Sequence, residues 1–348
     1  MAYTTINKSS DYFNTKLYTG NATQRTIDVG FKPDLVWGKL RSTTGNHWLW
    51  DSIRGANYYL KSNATDANNT GGVQDLNGFV SNGFTVGTGT RMNTNSETMA
   101  SWNWLANGQG SSNTDGSINT TYTSANTTSG FSIVKWTSTD TAGSTMGHGL
   151  GAVPKMIITK KISSGNPNYW TTYHNSIGNT KSIFLNDTGA ESGASTSYWN
   201  DTSPTSSVFS TGTYFDAGDY IAYCFADVQG YSKFGSYTGN GSSSSGTFIY
   251  TGFKPAWVLV KRTNASGNNW QLHDIKRTQY AQPINHRIAP NSNLAEQTGD
   301  TLGFDFVSNG FRPNNNNADY NGSGSTYIYM AFAEAPLVGT NNVPCTAR

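Results

Sequence analysis

The stretch Gly30-Phe31-Lys32-Pro33-Asp34-Leu35-Val36-Trp37-Gly38-Lys39 decides the reading of this chain, because it occurs three times. It returns as Gly149-Leu150-Gly151-Ala152-Val153-Pro154-Lys155-Met156-Ile157-Ile158-Thr159-Lys160. It returns again as Gly252-Phe253-Lys254-Pro255-Ala256-Trp257-Val258-Leu259-Val260-Lys261. Each time a glycine and a proline precede a short run of branched and aromatic residues, which is the grammar of a β-strand. Two more phrases follow in fixed order. A Trp-led strand begins at Trp48, Trp170 and Trp270. A closing strand contains Met99-Ala100-Ser101-Trp102, Ile221-Ala222-Tyr223-Cys224 and Ile328-Tyr329-Met330-Ala331. The step from marker proline to marker Trp is 15, 16 and 15 residues (33 to 48, 154 to 170, 255 to 270). Order, residue type and spacing kept three times point to internal repetition.

Each copy is about the size of a domain, so the repeat predicts three homologous antiparallel β-sandwiches of jelly-roll or concanavalin-like type. The boundaries fall at 1–110, 111–230 and 231–338, with a C-terminal tail at 339–348. A Phe follows a turn before each last strand, at Asn82-Gly83-Phe84, Ser207-Val208-Phe209 and Asn309-Gly310-Phe311. Asn-Gly reads as a hairpin turn. No segment keeps a helical period.

Composition agrees with an all-β chain and excludes several classes. Charged residues are 13% of 348, aromatics 13%, and the formal net charge is +2. Abundant aromatics argue against disorder, and the thin, balanced charge against a nucleic-acid surface. No apolar run approaches the ~20 residues of a transmembrane helix, and the polar opening Met1-Ala2-Tyr3-Thr4-Thr5 leads to the expectation of no secretory leader. Two cysteines cannot staple the fold: Cys224 reads as a buried thiol, and Cys345 lies in the tail.

Catalysis requires a constellation, and none is legible. His148 reads as a loop residue and His47 as exposed. His174 and His273 take near-equivalent places on the Trp-led strand, and His286 has no acid in its local window. The acids Asp51, Glu97, Asp187, Glu191, Asp274, Glu296 and Asp305 form no recognisable glycosidase pair. Asn314-Asn315-Asn316-Asn317-Ala318-Asp319 lacks the acidic density of a calcium loop. The expectation is a non-enzyme with no catalytic residue, no metal and no cofactor. The best candidate for ligand binding is Tyr198, Trp199 and Asn200, since flat rings stack and amides hydrogen-bond. Tyr58, Tyr59 and Tyr280 are weaker candidates of the same kind.

Several phrases resemble a known family. They include Asp11-Tyr12-Phe13-Asn14-Thr15-Lys16-Leu17-Tyr18-Thr19-Gly20-Asn21, Gly130-Phe131-Ser132-Ile133-Val134-Lys135, Gly147-His148-Gly149-Leu150-Gly151 and Tyr231-Ser232-Lys233-Phe234-Gly235-Ser236-Tyr237. With Tyr327-Ile328-Tyr329-Met330-Ala331-Phe332-Ala333-Glu334-Ala335-Pro336, these resemble the repeated tail-fibre-like structural proteins of marine tailed bacteriophages, over roughly residues 3–338. The resemblance implies a concanavalin-like sandwich, a place on the virion exterior after assembly in host cytoplasm, and no established catalytic residue. Its motifs are structural, so no functional residue carries over.

The combined expectation is a tail fibre or adhesin that recognises a host surface glycan or protein. A capsid-surface decoration protein without a receptor role is the alternative, and a glycan-depolymerising tailspike hydrolase the third reading. Partners are then other virion proteins and a homo-oligomer, with a trimer favoured, without nucleic acid or membrane insertion. In the first copy Trp102 and Trp104 stand where Cys224/Ala226 and Ala331/Ala333 are expected, which points to a different contact on that face.

Overall fold

Hydrophobic residues on both faces of a strand demand cover on both sides, and the three marker strands carry them on both faces. The computed structural model describes residues 3–343 apart from 73, 166–168, 300–302 and 342, so Cys345 and Arg348 lie outside the described residues. The chain is all-β, built from several antiparallel sheets with the layered character of a sandwich. Three principal sheets share one internal strand order. In the first, Phe13–Thr19 pairs with Thr98–Trp104, which pairs with Leu35–Leu40, which pairs with His47–Asp51. Phe131–Ser138, Gly218–Ala226, Pro154–Lys161 and Thr171–His174 follow that order in the second, and Ser232–Thr238, Thr326–Pro336, Phe253–Arg262 and Gln271–Asp274 in the third. We call these four strands opening, closing, proline and crossing. The first sheet adds Tyr58–Lys61 and Asn69–Thr70 at one edge; the second adds Tyr122–Asn126 and Ile183–Phe184 at its two edges.

A smaller sheet covers the outer face of each principal one. These are Arg25–Asp28 with Gly83–Val86 and Leu76–Val80; Ser144–Gly147 with Val208–Thr211; and Ile249–Tyr250 with Gly310–Pro313 and Phe304–Val307. Side chains alternate between the two sides, as the pleat requires. Val36, Trp50 and Met99 enter the first outer core, Ile157, Ala222 and Cys224 the second, and Val258, Val260 and Ala331 the third. Phe84, Phe209 and Phe311 fill those outer cores from the small sheets.

The inner faces meet in one shared core. Leu35, Trp37, Trp102 and Trp104 lie in a single cluster with Ile133, Ile158, Tyr223 and Phe225 and with Trp257, Leu259, Met330 and Phe332. At its centre the rings of Trp104, Phe225 and Phe332 form a triangle, with centroids 6.4, 5.8 and 6.2 Å apart. Trp257 stands edge-on to Trp104 at 5.8 Å. The void left there is about 10 Å³, walled by Leu35, Trp104, Ile158, Phe225 and Met330 among others. That is at the limit of one water and offers it no polar partner.

Register corrects two sequence expectations. Leu35, Met156 and Trp257 each stand two residues after their marker proline, and they pair with Trp104, Phe225 and Phe332 respectively. Trp102 and Trp104 therefore correspond to Tyr223/Phe225 and Met330/Phe332, not to the Cys224/Ala226 and Ala331/Ala333 pairs. A shift of one residue reverses the face, so the two Trp residues make no separate external contact. They are the first segment's share of the centre. The same pairing puts Asp51, His174 and Asp274 in one position, and His47, Trp170 and Trp270 in another. His174 and His273 are thus neighbours in register and point to opposite faces.

Two glycine positions are dictated by the backbone. Gly30, Gly151 and Gly252 precede their marker prolines by three residues and have φ of +92°, +67° and +80°, which L side chains rarely adopt. Gly83 and Gly310 are held by close approach: a Cβ there would collide with the carbonyl oxygens of Ile27 and Ile249 on the adjacent strand. The hairpin loops themselves are Ser81-Asn82 and Ser308-Asn309, since Val80 pairs with Gly83 and Val307 with Gly310. Gly310→Ala is expected to destabilise the protein by at least about 1–3 kcal/mol, the usual cost of overpacking. A urea midpoint equal to that of the unsubstituted protein would contradict this account.

Candidate functional site: the seams between the sheets

Where two principal sheets abut, polar groups must be paired or they penalise folding. The crossing strand of each segment meets the next segment in a cyclic order. At the first seam Tyr223 Oη donates to Asp51 Oδ2 at 2.7 Å, and Arg54 Nε pairs with the same oxygen at 2.6 Å. At the second, the His174 ring nitrogen Nε2 lies 3.2 Å from the Tyr329 carbonyl oxygen. At the third, Trp102 Nε1 donates to Asp274 Oδ2 at 3.0 Å, and Arg277 Nε pairs with Asp274 at 2.5 Å. Indoles close the seams as well: Trp170 Nε1 donates to Lys61 O at 2.8 Å and Trp270 Nε1 to Phe184 O at 2.9 Å. His47 takes the corresponding third place.

The marker lysines are the least obvious members of this set. Lys39, Lys160 and Lys261 each stand six residues after their proline and are 0%, 1% and 0% exposed. Lys160 Nζ donates across a seam to Thr65 O at 2.9 Å, and Lys261 Nζ to Thr188 O at 3.1 Å. Lys39 Nζ donates to Leu40 O at 2.6 Å, within reach of the field of Glu296 in the third segment. Burial pulls all three down to about 8. The lysine is visible in all three quoted phrases; its burial is not, because a strand-end lysine ordinarily reaches solvent.

These shifts fix a pH profile. Burial also lowers His47, His148, His174 and His273, with His174 at about 4. The unfolded chain takes up protons on these rings below about pH 6.5 while the folded chain refuses them. Stability is therefore lost as pH falls from 6.5, by up to ~1.4 kcal/mol per ring per pH unit. Burial raises Asp34 and Asp75, which act in the opposite sense and are fewer. The lysines bind fewer protons folded than unfolded between about 8 and 10.5, so stability rises again across that interval until tyrosine ionisation in the unfolded chain opposes it near pH 10. Thermal midpoints are expected to rise from pH 5 to 6.5 and from pH 8 to 9.5. A fall across either interval would contradict the assignment.

The acids considered for catalysis are committed elsewhere. Asp51 and Asp274 hold Arg54 and Arg277; Glu296 holds Arg41, Arg277 and His286; Glu191 holds Lys181; Asp305 holds Arg312. Asp187 accepts the Thr188 amide, and Glu97 accepts the Ser42 hydroxyl. Burial pushes Glu296 up, but the two arginines beside it, Arg277 and Arg41, outweigh that and hold it down to about 2. His47, expected to be exposed, is fully buried: its Nδ1 accepts the Trp37 indole N–H at 3.0 Å and its ring stacks on Trp102. Cys224 is fully buried, and its surroundings push the thiol up. In the 314–319 run Asn315 Oδ1 accepts Asn317 N and Asn317 Oδ1 accepts Asp319 N, while the run's one acid, Asp319, accepts from Gln271 and pairs with Arg287. Among the described residues no cluster of three potential metal ligands forms.

The Tyr198, Trp199, Asn200 trio does not act as one surface. Trp199 is 1% exposed, packs on Tyr173 and Phe215 in the second outer core, and donates its Nε1 to Lys181 O. Its ring offers no free face for stacking. Tyr198 is half-buried against Tyr214 and Phe184, and Asn200 caps a turn with φ +53°. Tyr59 is buried, whereas Tyr58 and Tyr280 are exposed.

Open space lies at two seams. One cleft, about 250 Å³, runs between the third and first segments beside Asn14, Lys276, Tyr280 and Glu334. The other, about 440 Å³, runs between the second and third, walled by Ser176, Lys181, Glu191, Ser236, Thr238 and Thr326 among others. Of the second cleft's walls the sequence singled out only Glu191, as an acid; the serines and threonines that make up most of its polar lining come from distant segments.

Fold and seams together define an all-β, sandwich-type protein whose sheets share one interior. The chain belongs to the family described as a domain of unknown function, DUF7483, which matches residues 8–336 as one unit and so spans all three principal sheets. No curated protein and no solved structure matches it. No helix among the described residues is long and apolar enough to cross a membrane.

Proposed function

We propose that this protein is a non-enzymatic structural component of a bacteriophage particle, a tail fibre or adhesin that contacts the host cell surface. The observation that carries the reading is the use made of its ionisable groups. The acids weighed for catalysis are tied to arginines, lysines, a hydroxyl or a backbone amide; at the open seam Glu191 is paired with Lys181, and the rest of the exposed polar wall is serine and threonine. Such a surface binds and does not supply the general acid and base that glycoside hydrolysis needs. The sequence resemblance to repeated phage structural proteins supports the virion setting, and with it the view of the three segments as homologous repeats.

Oligomeric state belongs to the same proposal. The three sheets already close on one shared core within a chain, and a homotrimer would set three such units about a fibre axis. Light scattering on the purified chain checks this: the trimer requires three times 37.6 kDa. Immunogold electron microscopy of particles tests the location. Label at the tail supports the adhesin; label over the head turns the reading to a decoration protein without a receptor role. Release of reducing sugar from host polysaccharide between pH 5 and 8 would overturn the non-enzymatic part.

A further inference from the structure

We propose that the cleft between the second and third segments is a binding site for an uncharged, hydroxyl-rich saccharide unit. The proposal deepens the adhesin reading and rests on it for the source of the sugar, a cell-surface glycan. Its chemistry comes from comparing one position at the three seams. Two residues after Asp51, His174 and Asp274 stand Ile53, Ser176 and Lys276. Each lies where one segment's turn approaches the next. Ile53 is buried in the shared core, and at that seam the additional strand Tyr122–Asn126 covers the edge of the opening strand Phe131–Ser138. Lys276 extends across its seam and bonds Asn14 Oδ1 at 2.5 Å and Thr15 O at 2.8 Å on the opening strand Phe13–Thr19.

Ser176 does neither. Its side chain is too short to reach the opening strand Ser232–Thr238, and the cleft there is about 440 Å³ against about 250 Å³ beside Lys276. The volume falls within the usual ligand range.

The walls specify the ligand. Ser176, Ser236, Thr238 and Thr326 are exposed on them. The hydroxyls of Ser176, Ser236 and Thr238 make no hydrogen bond among the described residues, and that of Thr326 is held by Thr263 Oγ1 at 2.8 Å. Each hydroxyl both donates and accepts, which matches sugar hydroxyls doing the same. The charges on the wall, Lys181 and Glu191, neutralise each other at 2.5 Å, so neither sign of ligand is favoured. Ile177 supplies an apolar patch for the C–H face of a sugar ring.

The test is saturation-transfer NMR on the full chain with glucose, galactose, mannose, N-acetylglucosamine and maltose, and with sialic acid as a charged control. Transfer to at least one neutral sugar is expected. Ser176→Lys, which installs the side chain found at the third seam, is expected to abolish it, and Ser236→Ala to weaken it about two- to tenfold, the range for one neutral hydrogen bond. If Ser176→Lys fails to fold by circular dichroism, Thr238→Lys on the exposed edge replaces it. No neutral sugar bound at millimolar concentration, or binding unchanged in the lysine variant, overturns the proposal. Sugar binding without attachment to bacterial cells keeps the site and removes the adhesin reading. Attachment without sugar binding does the reverse.

Discussion

Trp104→Ala is expected to lower the unfolding free energy by about 3–5 kcal/mol, the range for truncating a buried aromatic, and to weaken all three sheets together. The ring is 1% exposed and touches Phe13 in its own segment, Phe225 in the second, and Trp257 and Phe332 in the third. Its loss leaves a cavity where three sheets meet, so none relaxes into the space without drawing the others. Trp104→Phe should cost less, because the indole N–H has no partner to lose. Hydrogen exchange resolved by segment checks the coupling. Protection should fall in 98–104, 218–226 and 326–336 alike. Loss confined to 98–104 would show that the segments hold separate cores.

Arg277→Met is expected to cost a similar amount, about 3–5 kcal/mol, for an electrostatic reason. The side chain is 0% exposed and pairs with Asp274, also 0% exposed, and with Glu296 at 2.9 Å. Its Nη2 also donates to Leu272 O at 2.8 Å. Removing one partner of a buried pair strands the other in a medium that solvates charge poorly. Here two carboxylates are stranded, and Arg41 remains beside only one of them. Lys8→Ala is the comparison: its pair with Asp11 is 70% and 52% exposed, and such pairs contribute about 0–1 kcal/mol. Urea unfolding reads both. A shift for Arg277→Met as small as that for Lys8→Ala would remove the buried cluster from the account of stability.

The strands were legible because their signals are local. Gly252-Phe253-Lys254-Pro255 announces a strand start, and the glycine in that place has the positive φ only glycine accepts freely. The Trp-led position lies one residue away from its sequence match in the first segment, where His47 and not Trp48 corresponds to Trp170. Nothing local marks that slip, since a histidine next to a tryptophan pairs equally well in either register. Only the hydrogen-bonded partners, Lys39 with His47 and Leu35 with Asp51, decide it.

The site was legible in smaller part. Tyr198-Trp199-Asn200 has the composition of a binding loop, but composition does not say which way Trp199 turns, and it turns inward. The seam cleft is not legible in the sequence because its walls come from residues as far apart as Ser176 and Thr326, and a serine at one turn carries no signal apart from the Ile53 and Lys276 that hold the same place at the other seams.

The sequence by itself determined the all-β character, the alternation of faces along the strands and the positions of the marker phrases, because these follow from residue periodicity and turn chemistry over a few positions. Tertiary structure alone decided that the inner faces close on one core and that three lysines lie buried at seams. It alone decided that one seam stays open. Each of these depends on which surfaces meet across a hundred residues or more, and burial, unlike pleat or turn, is a property of the pair that meets.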